Sequence, residues 1–189
     1  MKSIPLSLCA ALAVLFMSGC ATRQPKTPPL PKKPEQPSEK SYWRGAGVQG
    51  NPSIIVDLSE QRAYFFKADL LVGETRCSSG KKGFRTPPGE YKVTQRDKNH
   101  VSNLYGNFVD ATGVVLEKDV DTSKMKAPEG ASFAGAKMPF FLRFHGGYGM
   151  HSGRVPNYPA SHGCVRLPYN MAEHFFNSSS LGTPVLVQE

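Results

Sequence analysis

The feature that most limits how this chain can fold is how often its apolar runs are interrupted. Eighteen glycines and sixteen prolines are scattered over 189 residues, and between them apolar residues come in short β-rich runs. Residues 53–58 form one run, cut by the polar stretch 59–62; residues 63–66 begin a second; residues 70–78, opened by a turn at Asp69, form a third. Short strands at this spacing predict hairpins in a mainly β domain. Residues 90–95, a weak 114–116, 140–144, 148–151 after the Gly146-Gly147 turn, and 185–187 read as further strands. Residues 80–89 are a Gly/Pro-rich loop. Residues 97–107 and 117–137 carry little periodicity and are expected to be long irregular loops, which inside a compact domain are usually functional. The one clear helix is 168–176: proline suits a first helical position, and Met171/Phe175 and Ala172/Phe176 pair at i,i+4.

The N-terminus reads as an address. Residues 1–19 combine a positive Lys2, an apolar stretch 6–17 and small residues before Cys20, in the manner of a secretory signal. Met17-Ser18-Gly19-Cys20 resembles the lipobox of a bacterial lipoprotein, which implies a lipid on Cys20 and cleavage before it. Residues 21–40 follow with six prolines, five basic residues and no aromatic. Such a segment lacks the apolar surface to offset ordering entropy, so residues 21–40 are expected not to pack on the domain, and residues 20–50 to act as a tether. Its reach would be about 90 Å as extended polyproline II, or roughly 30 Å as a coil. The expected division is therefore signal 1–19, tether 20–50 and folded domain 51–189. Downstream of the signal no apolar run is long enough to cross a bilayer.

Charge excludes one class of partner. The chain has 23 Lys and Arg against 15 Asp and Glu, a net of +8. Residues 1–40 hold six basic and two acidic residues, and Arg44 adds one; residues 50–189 hold 16 and 13. Half the excess sits in the tail, and the body shows only pairs such as Lys81-Lys82. A phosphate backbone requires clustered charge on the folded part, so no nucleic-acid partner is expected.

Of four cysteines, Cys9 leaves with the signal and Cys20 is the lipid site, so Cys77 and Cys164 remain in the body. They could form a disulfide in an exported protein, or one could be reactive and the other inert. The surroundings of Cys164 favour reactivity. Arg166 and the helix beginning near Pro168 would lower a thiol pKa, and Gly163 permits unusual backbone next to it. Consecutive N–H groups there can face an oxyanion, and His151 lies thirteen positions upstream. Cysteine with histidine is a minimal set for acyl transfer. Cys77, among Arg76 and Ser78, is expected to be a buried bystander.

The strings His151-Ser152-Gly153 and Ser161-His162-Gly163-Cys164-Val165-Arg166 resemble the signature of the L,D-transpeptidase (YkuD) catalytic domain family. The stretches at 56–59, 86–91 and 182–185 are similar to that family's first strand, pre-catalytic loop and last strand, so the resemblance covers about residues 51–188. Ser152 stands where many members carry glycine. The resemblance implies a mainly β, YkuD-like β-sandwich with one or two short helices. It implies Cys164 as nucleophile and His151 as general base and acid, with the carbonyl of Ser152 or a neighbour orienting the imidazole. N–H groups near His162, Gly163 and Cys164 would form an oxyanion hole, and Arg166 would position the loop or bind a substrate carboxylate. The implied reaction is attack on the third residue of a peptidoglycan tetrapeptide stem, with release of D-Ala. The thioester then passes to an amine of another stem (a 3→3 cross-link), to a protein lysine such as that of a wall-attached lipoprotein, or to water. No cofactor and no metal are implied. The expected location is periplasmic, lipid-anchored, and in a Gram-negative source the inner leaflet of the outer membrane, which Ala21 favours over retention at the inner membrane.

Plainer readings stand beside these. His145, His174 and His100 read as structural or solvated, Arg166 could serve an ion pair, and Trp43 could pack on the domain edge. A zinc site from His151, His162 and Cys164 lacks a compact ligand pair. A sortase-like transpeptidase shares the order His, Cys, Arg but not the Ser-His-Gly-Cys string, and cysteine peptidases of the NlpC/P60 type place Cys before His. A non-enzymatic lipoprotein that only tethers wall to membrane would leave the Cys/His pair unexplained.

Overall fold

The computed structural model describes residues 29–36, 38, 40–156 and 158–189. The signal segment 1–19 and the lipid site Cys20 lie outside the described residues. In chain order the elements are β1 (Tyr42–Trp43), β2 (Pro52–Asp57), β3 (Arg62–Lys67), β4 (Leu70–Arg76), β5 (Gly89–Lys92), β6 (Gln95–Val109), β7 (Val115–Asp121), β8 (Ser132–His145), β9 (Tyr148–Ser152), β10 (Val165–Leu167), α1 (Tyr169–Ser178) and β11 (Pro184–Gln188). They form two sheets, ordered β1-β4-β3-β2-β11-β5 and β10-β9-β8-β6-β7. Only β2/β11 and β9/β10 pair in parallel. The fold is mainly β, two-sheeted and carries one short helix, as expected of the YkuD-like class.

Alternation along the first three apolar runs explains the core. Ile54 and Val56 on β2, Ala63 and Phe65 on β3 and Val72 on β4 face Phe140, Leu142 and Phe144 of β8, Met150 of β9, and Val165 and Leu167 of β10. Helix α1 closes this core with Met171, Ala172, Phe175 and Phe176, its i,i+4 stripe. Pro168 occupies the N-cap, one position before the place expected for it. The alternate residues Ile55, Tyr64 and Phe66 form a second buried cluster, with Leu71 and Leu186 against it.

Two stretches expected to be irregular are strands. Residues 97–107 lie within β6, and 117–137 are divided between β7, a connection and β8. The reason is visible in their burial: most of β6 and β7 is exposed or half-buried, so neither face selects apolar residues at period two. Backbone pairing carries them, with a register break between Val101 and Gly106. The run 90–95 also divides. β5 joins the first sheet beside β11 and β6 joins the second, the crossing being fixed by Val93 N–H to Thr183 O and Thr94 N–H to Arg143 O, both 2.8 Å.

Within the stretch 21–40, expected not to pack on the domain, Lys33 and Ser38 are bonded to it, and Trp43 packs on its edge as expected. Lys33 bonds the buried Asp57 and, at 2.8 Å, Glu60. Ser38 N–H donates to Glu74 Oε1 at 2.6 Å, and Ser41 Oγ lies 3.0 Å from Thr75 Oγ1. Tyr42 and Trp43 pair with Glu74 and Gly73 as a sixth strand. Trp43 meets Phe65 edge-on at 5.3 Å and stacks on His174 at 4.9 Å. A Cβ at Gly73 would lie 2.5 Å from the indole, so only glycine admits it. Composition was a poor guide here because a proline-rich chain needs no apolar surface of its own when buried carboxylates wait for its Lys and N–H groups.

Candidate active site

Strands β9 and β10 bring the two motif strings side by side. Their parallel register pairs Met150 with Val165, His151 with Arg166 and Ser152 with Leu167, which places Cys164 at the mouth of β10 beside Gly149. His151 and Cys164 line one cavity of about 500 Å³ together with Ser152, Ser161, His162 and Arg166. The facing wall comes from β6, β7 and β8, with Tyr105, Asn107, Asp119 and Lys137. A second groove of about 550 Å³, between Leu30 and the 180–184 turn, holds neither His nor Cys. Among the described residues no three His, Cys, Asp or Glu side chains are grouped as metal ligands.

His151 is 6 % exposed, and its Nδ1 lies 2.8 Å from the carbonyl of Ser152. A carbonyl only accepts, so Nδ1 carries the proton and Nε2 presents a lone pair. Burial, partly opposed by that carbonyl and reinforced by Arg166 and His100, pushes the imidazole pKa down to about 4. Unfolded, the ring titrates near 6.5, so between these values the unfolded chain binds a proton that the folded one refuses. Stability therefore rises with pH across that window and is lost as pH falls through it. Urea unfolding should show the domain weaker at pH 5 than at pH 7 by roughly 2 kcal/mol, and His151→Asn should shrink the difference. An unchanged pH slope in that variant would place the titration elsewhere.

Cys164 is half-buried, with Sγ 3.8 Å from the Gly147 carbonyl. Burial raises its pKa against the Gly149 N–H, Arg143 and Arg166, which lower it. The expectation of a thiol activated by Arg166 and a helix N-terminus is thus corrected. Arg166 acts in the expected direction but burial outweighs it, and β10, about 10 Å of strand, separates Cys164 from α1. Burial thus favours the neutral form of both groups, the Cys164 thiol and the His151 imidazole, in the cavity they share. Cys77 is also a free thiol, 1 % exposed, and burial pushes its pKa up strongly.

The loop before Cys164 is tied at several points. Ser161 Oγ accepts the Gly163 N–H at 3.0 Å and donates to the Cys164 carbonyl. Gly163 has φ +119°, where a Cβ would lie 2.6 Å from the Tyr148 ring. Because the Gly163 N–H is already taken, it is not free to serve an oxyanion, which corrects one of the expected donors. His162 stacks on Tyr105 at 4.6 Å and meets Phe84 edge-on at 4.6 Å, fastening the loop to β6. Burial first, then Lys81, lowers its pKa. Arg166 lays its stem on Gly153 and pairs its backbone with Ser78, both bonds at 2.9 Å. Its guanidinium lines the cavity with no ion pair among the described residues, and so does that of Arg154.

Arg154, Tyr105, Asn107 and Asp119 were missed by the sequence reading. Tyr105 left one trace, as the only aromatic residue between Tyr91 and Phe108; the others left none.

The chain matches the family model of the L,D-transpeptidase catalytic domain, YkuD, over residues 51–187. No curated protein sequence gives a significant match. Among solved structures it is similar to an L,D-transpeptidase from Mycobacterium smegmatis, with 20 % identity and a TM-score of 0.57 over 74 % of this chain and 59 % of that one. It is similar to LdtMt1, an L,D-transpeptidase solved in complex with imipenem, with 18 % identity and a TM-score of 0.55 over 72 % and 58 %. An L,D-transpeptidase from Xylanimonas cellulosilytica shares 24 % identity and a TM-score of 0.53 over 75 % and 62 %. The chain thus spans about three-fifths of the length of these structures, and the likeness is one of fold.

Proposed function

The chain belongs to the family of the L,D-transpeptidase catalytic domain, YkuD, and from that premise we propose that it transfers acyl groups on peptidoglycan stems with Cys164 as nucleophile. The observation that carries the reading is that His151, on β9, and Cys164, just before the neighbouring β10, line one cavity, with His151 Nδ1 tied to the Ser152 carbonyl. As Sγ attacks the carbonyl carbon of the third stem residue, its proton passes to His151 Nε2. The oxyanion forms beside the Cys164 N–H. Collapse expels the D-Ala amine, which takes the proton from His151, and leaves a thioester. An acceptor amine then attacks, gives its proton to His151, and the thiolate departs and regains that proton. The acceptor is an amine of a second stem, a protein lysine or, in a carboxypeptidase side reaction, water.

Arg166 and Arg154, cationic and without ion pairs among the described residues, suit a substrate carboxylate. The reaction needs no cofactor. Membership of the family sets the chain apart from the sortase-like alternative, and the test below also addresses the non-enzymatic tether. Incubation with a tetrapeptide muropeptide should release D-Ala and add the acyl mass to the peptide containing Cys164. Absence of both from folded protein would remove the proposal.

Lipidation of Cys20 and an outer-membrane, periplasm-facing location belong to the same proposal, supported by Met17-Ser18-Gly19-Cys20 and Ala21. Fatty-acid labelling that persists in Cys20→Ala would refute the anchor.

A further inference from the structure

The carbonyl of Gly163 is gripped from a distant part of the chain. Thr86, fully buried in the loop between β4 and β5, donates its hydroxyl proton to Gly163 O at 2.6 Å. The same hydroxyl accepts the Gly80 N–H at 3.0 Å, which commits its proton to Gly163. The loop carrying Thr86 is itself stitched along the catalytic loop. Ser79 O accepts the N–H groups of Ala160 and Ser161, and Lys81 N–H donates to Ser161 O, each at 3.0 Å.

A trans peptide is planar, with its C=O and N–H pointing in opposite directions. Fixing the Gly163 carbonyl on Thr86 therefore sends the Cys164 N–H of that peptide away from Thr86. The restraint has something to restrain: Gly163 has no Cβ and sits at φ +119°, so its backbone can take more than one orientation. The neighbouring N–H, that of Gly163, is already spent on Ser161 Oγ. The Cys164 N–H is thus the donor whose direction decides how the loop meets a developing oxyanion.

We propose that Thr86 is a positioning residue that aims the Cys164 N–H at the oxyanion by holding the Gly163 carbonyl. The inference rests on the acyl-transfer reading above. Thr86 touches no substrate and acts through one peptide plane. Its effect should appear in reactions that pass through an oxyanion and not in those that only need the thiol.

The test uses the full chain and two reagents, imipenem, which acylates through a tetrahedral oxyanion, and iodoacetamide, which alkylates sulfur with none. Thr86→Val keeps the shape without the hydroxyl; Thr86→Ser keeps the hydroxyl. Thr86→Val should slow acylation of Cys164 roughly 10- to 100-fold, by the measure of one oxyanion donor displaced. Its alkylation should stay within about threefold, and Thr86→Ser should stay within about threefold in both reactions. Thr86→Val acylating at the wild-type rate would overturn the proposal. So would equal losses in both reactions, or Thr86→Ser as impaired as Thr86→Val. Should Thr86→Val fail to fold, the serine variant decides, because a roughly tenfold loss of acylation there leaves no role for the hydroxyl. Wild-type protein that is alkylated at Cys164 but never acylated would instead sink the acyl-transfer reading, which the alkylation arm makes recognisable.

Discussion

Serine in place of Cys164 should lower acyl transfer by roughly 10³-fold or more while leaving the fold intact. The site explains why so small a change is so costly. His151 is a weak base, held at about 4 by burial, and even the thiol proton reaches it uphill. A hydroxyl holds its proton far more tightly than a thiol, so the same imidazole cannot activate it. The substitution removes little volume at a half-buried position, and a hydroxyl can meet the same backbone groups as Cys164 Sγ, the Gly147 carbonyl and the Gly149 N–H, so the melting temperature should barely move. Release of D-Ala from a tetrapeptide, with circular dichroism as the control for folding, measures both claims. More than a tenth of wild-type turnover in a folded Cys164→Ser protein would mean that another group attacks.

A chain beginning at Gly50 should fold far less stably than one that keeps residues 29–49. Trp43 alone touches Phe65, Phe175 and His174, and Trp43→Ala should cost about 3 kcal/mol, or about 10 °C in melting temperature for a domain of this size. Removing the whole segment does more. Asp57 is fully buried, and hydrogen bonds from Lys33 first, then Gln188, Glu60 and Ser59, hold its carboxyl below the usual range against burial. Glu74 is already raised by burial despite Ser38 N–H and Arg62. Loss of Lys33 and Ser38 leaves both carboxylates short of partners inside the protein, where such deficits are costly. With total stabilities of about 5–15 kcal/mol in domains of this kind, the shortened chain should unfold at markedly lower urea. Identical urea midpoints for the two chains would show the segment to be an ornament.

What could be read in the sequence follows from where the information lies. His151 and Cys164 were legible because each sits in a contiguous string, and β9 and β10 needed only to run side by side. The core strands were legible because residues such as Ile54, Val56 and Phe65 alternate against a buried face. β6 and β7 were not, because solvent on both faces erases that alternation. The state of the thiol was misjudged because local sequence displays Arg166 but not the burial that outweighs it. Thr86 lies in the stretch 86–91 noted above, but its bond was not legible because its partner, Gly163, is 77 positions away and the bond runs to a carbonyl that every residue possesses. The proline-rich segment was misjudged because its partners Asp57 and Glu74 belong to strands that composition cannot align.

That segment changes the mechanics of attachment. With Lys33, Ser38 and Trp43 fixed to the first sheet, a lipid on Cys20, as proposed above, would be joined to the first of these ties by the stretch up to Lys33. Fully drawn out, that stretch would cover about 40 Å, less than half the reach of a free tether to residue 50. If Cys20 carries the proposed lipid, an enzyme moored this way would not roam far from its membrane. It would work as a short-stalked tool at the membrane surface, and its proposed cross-linking would be confined to the face of the wall that comes down to meet it.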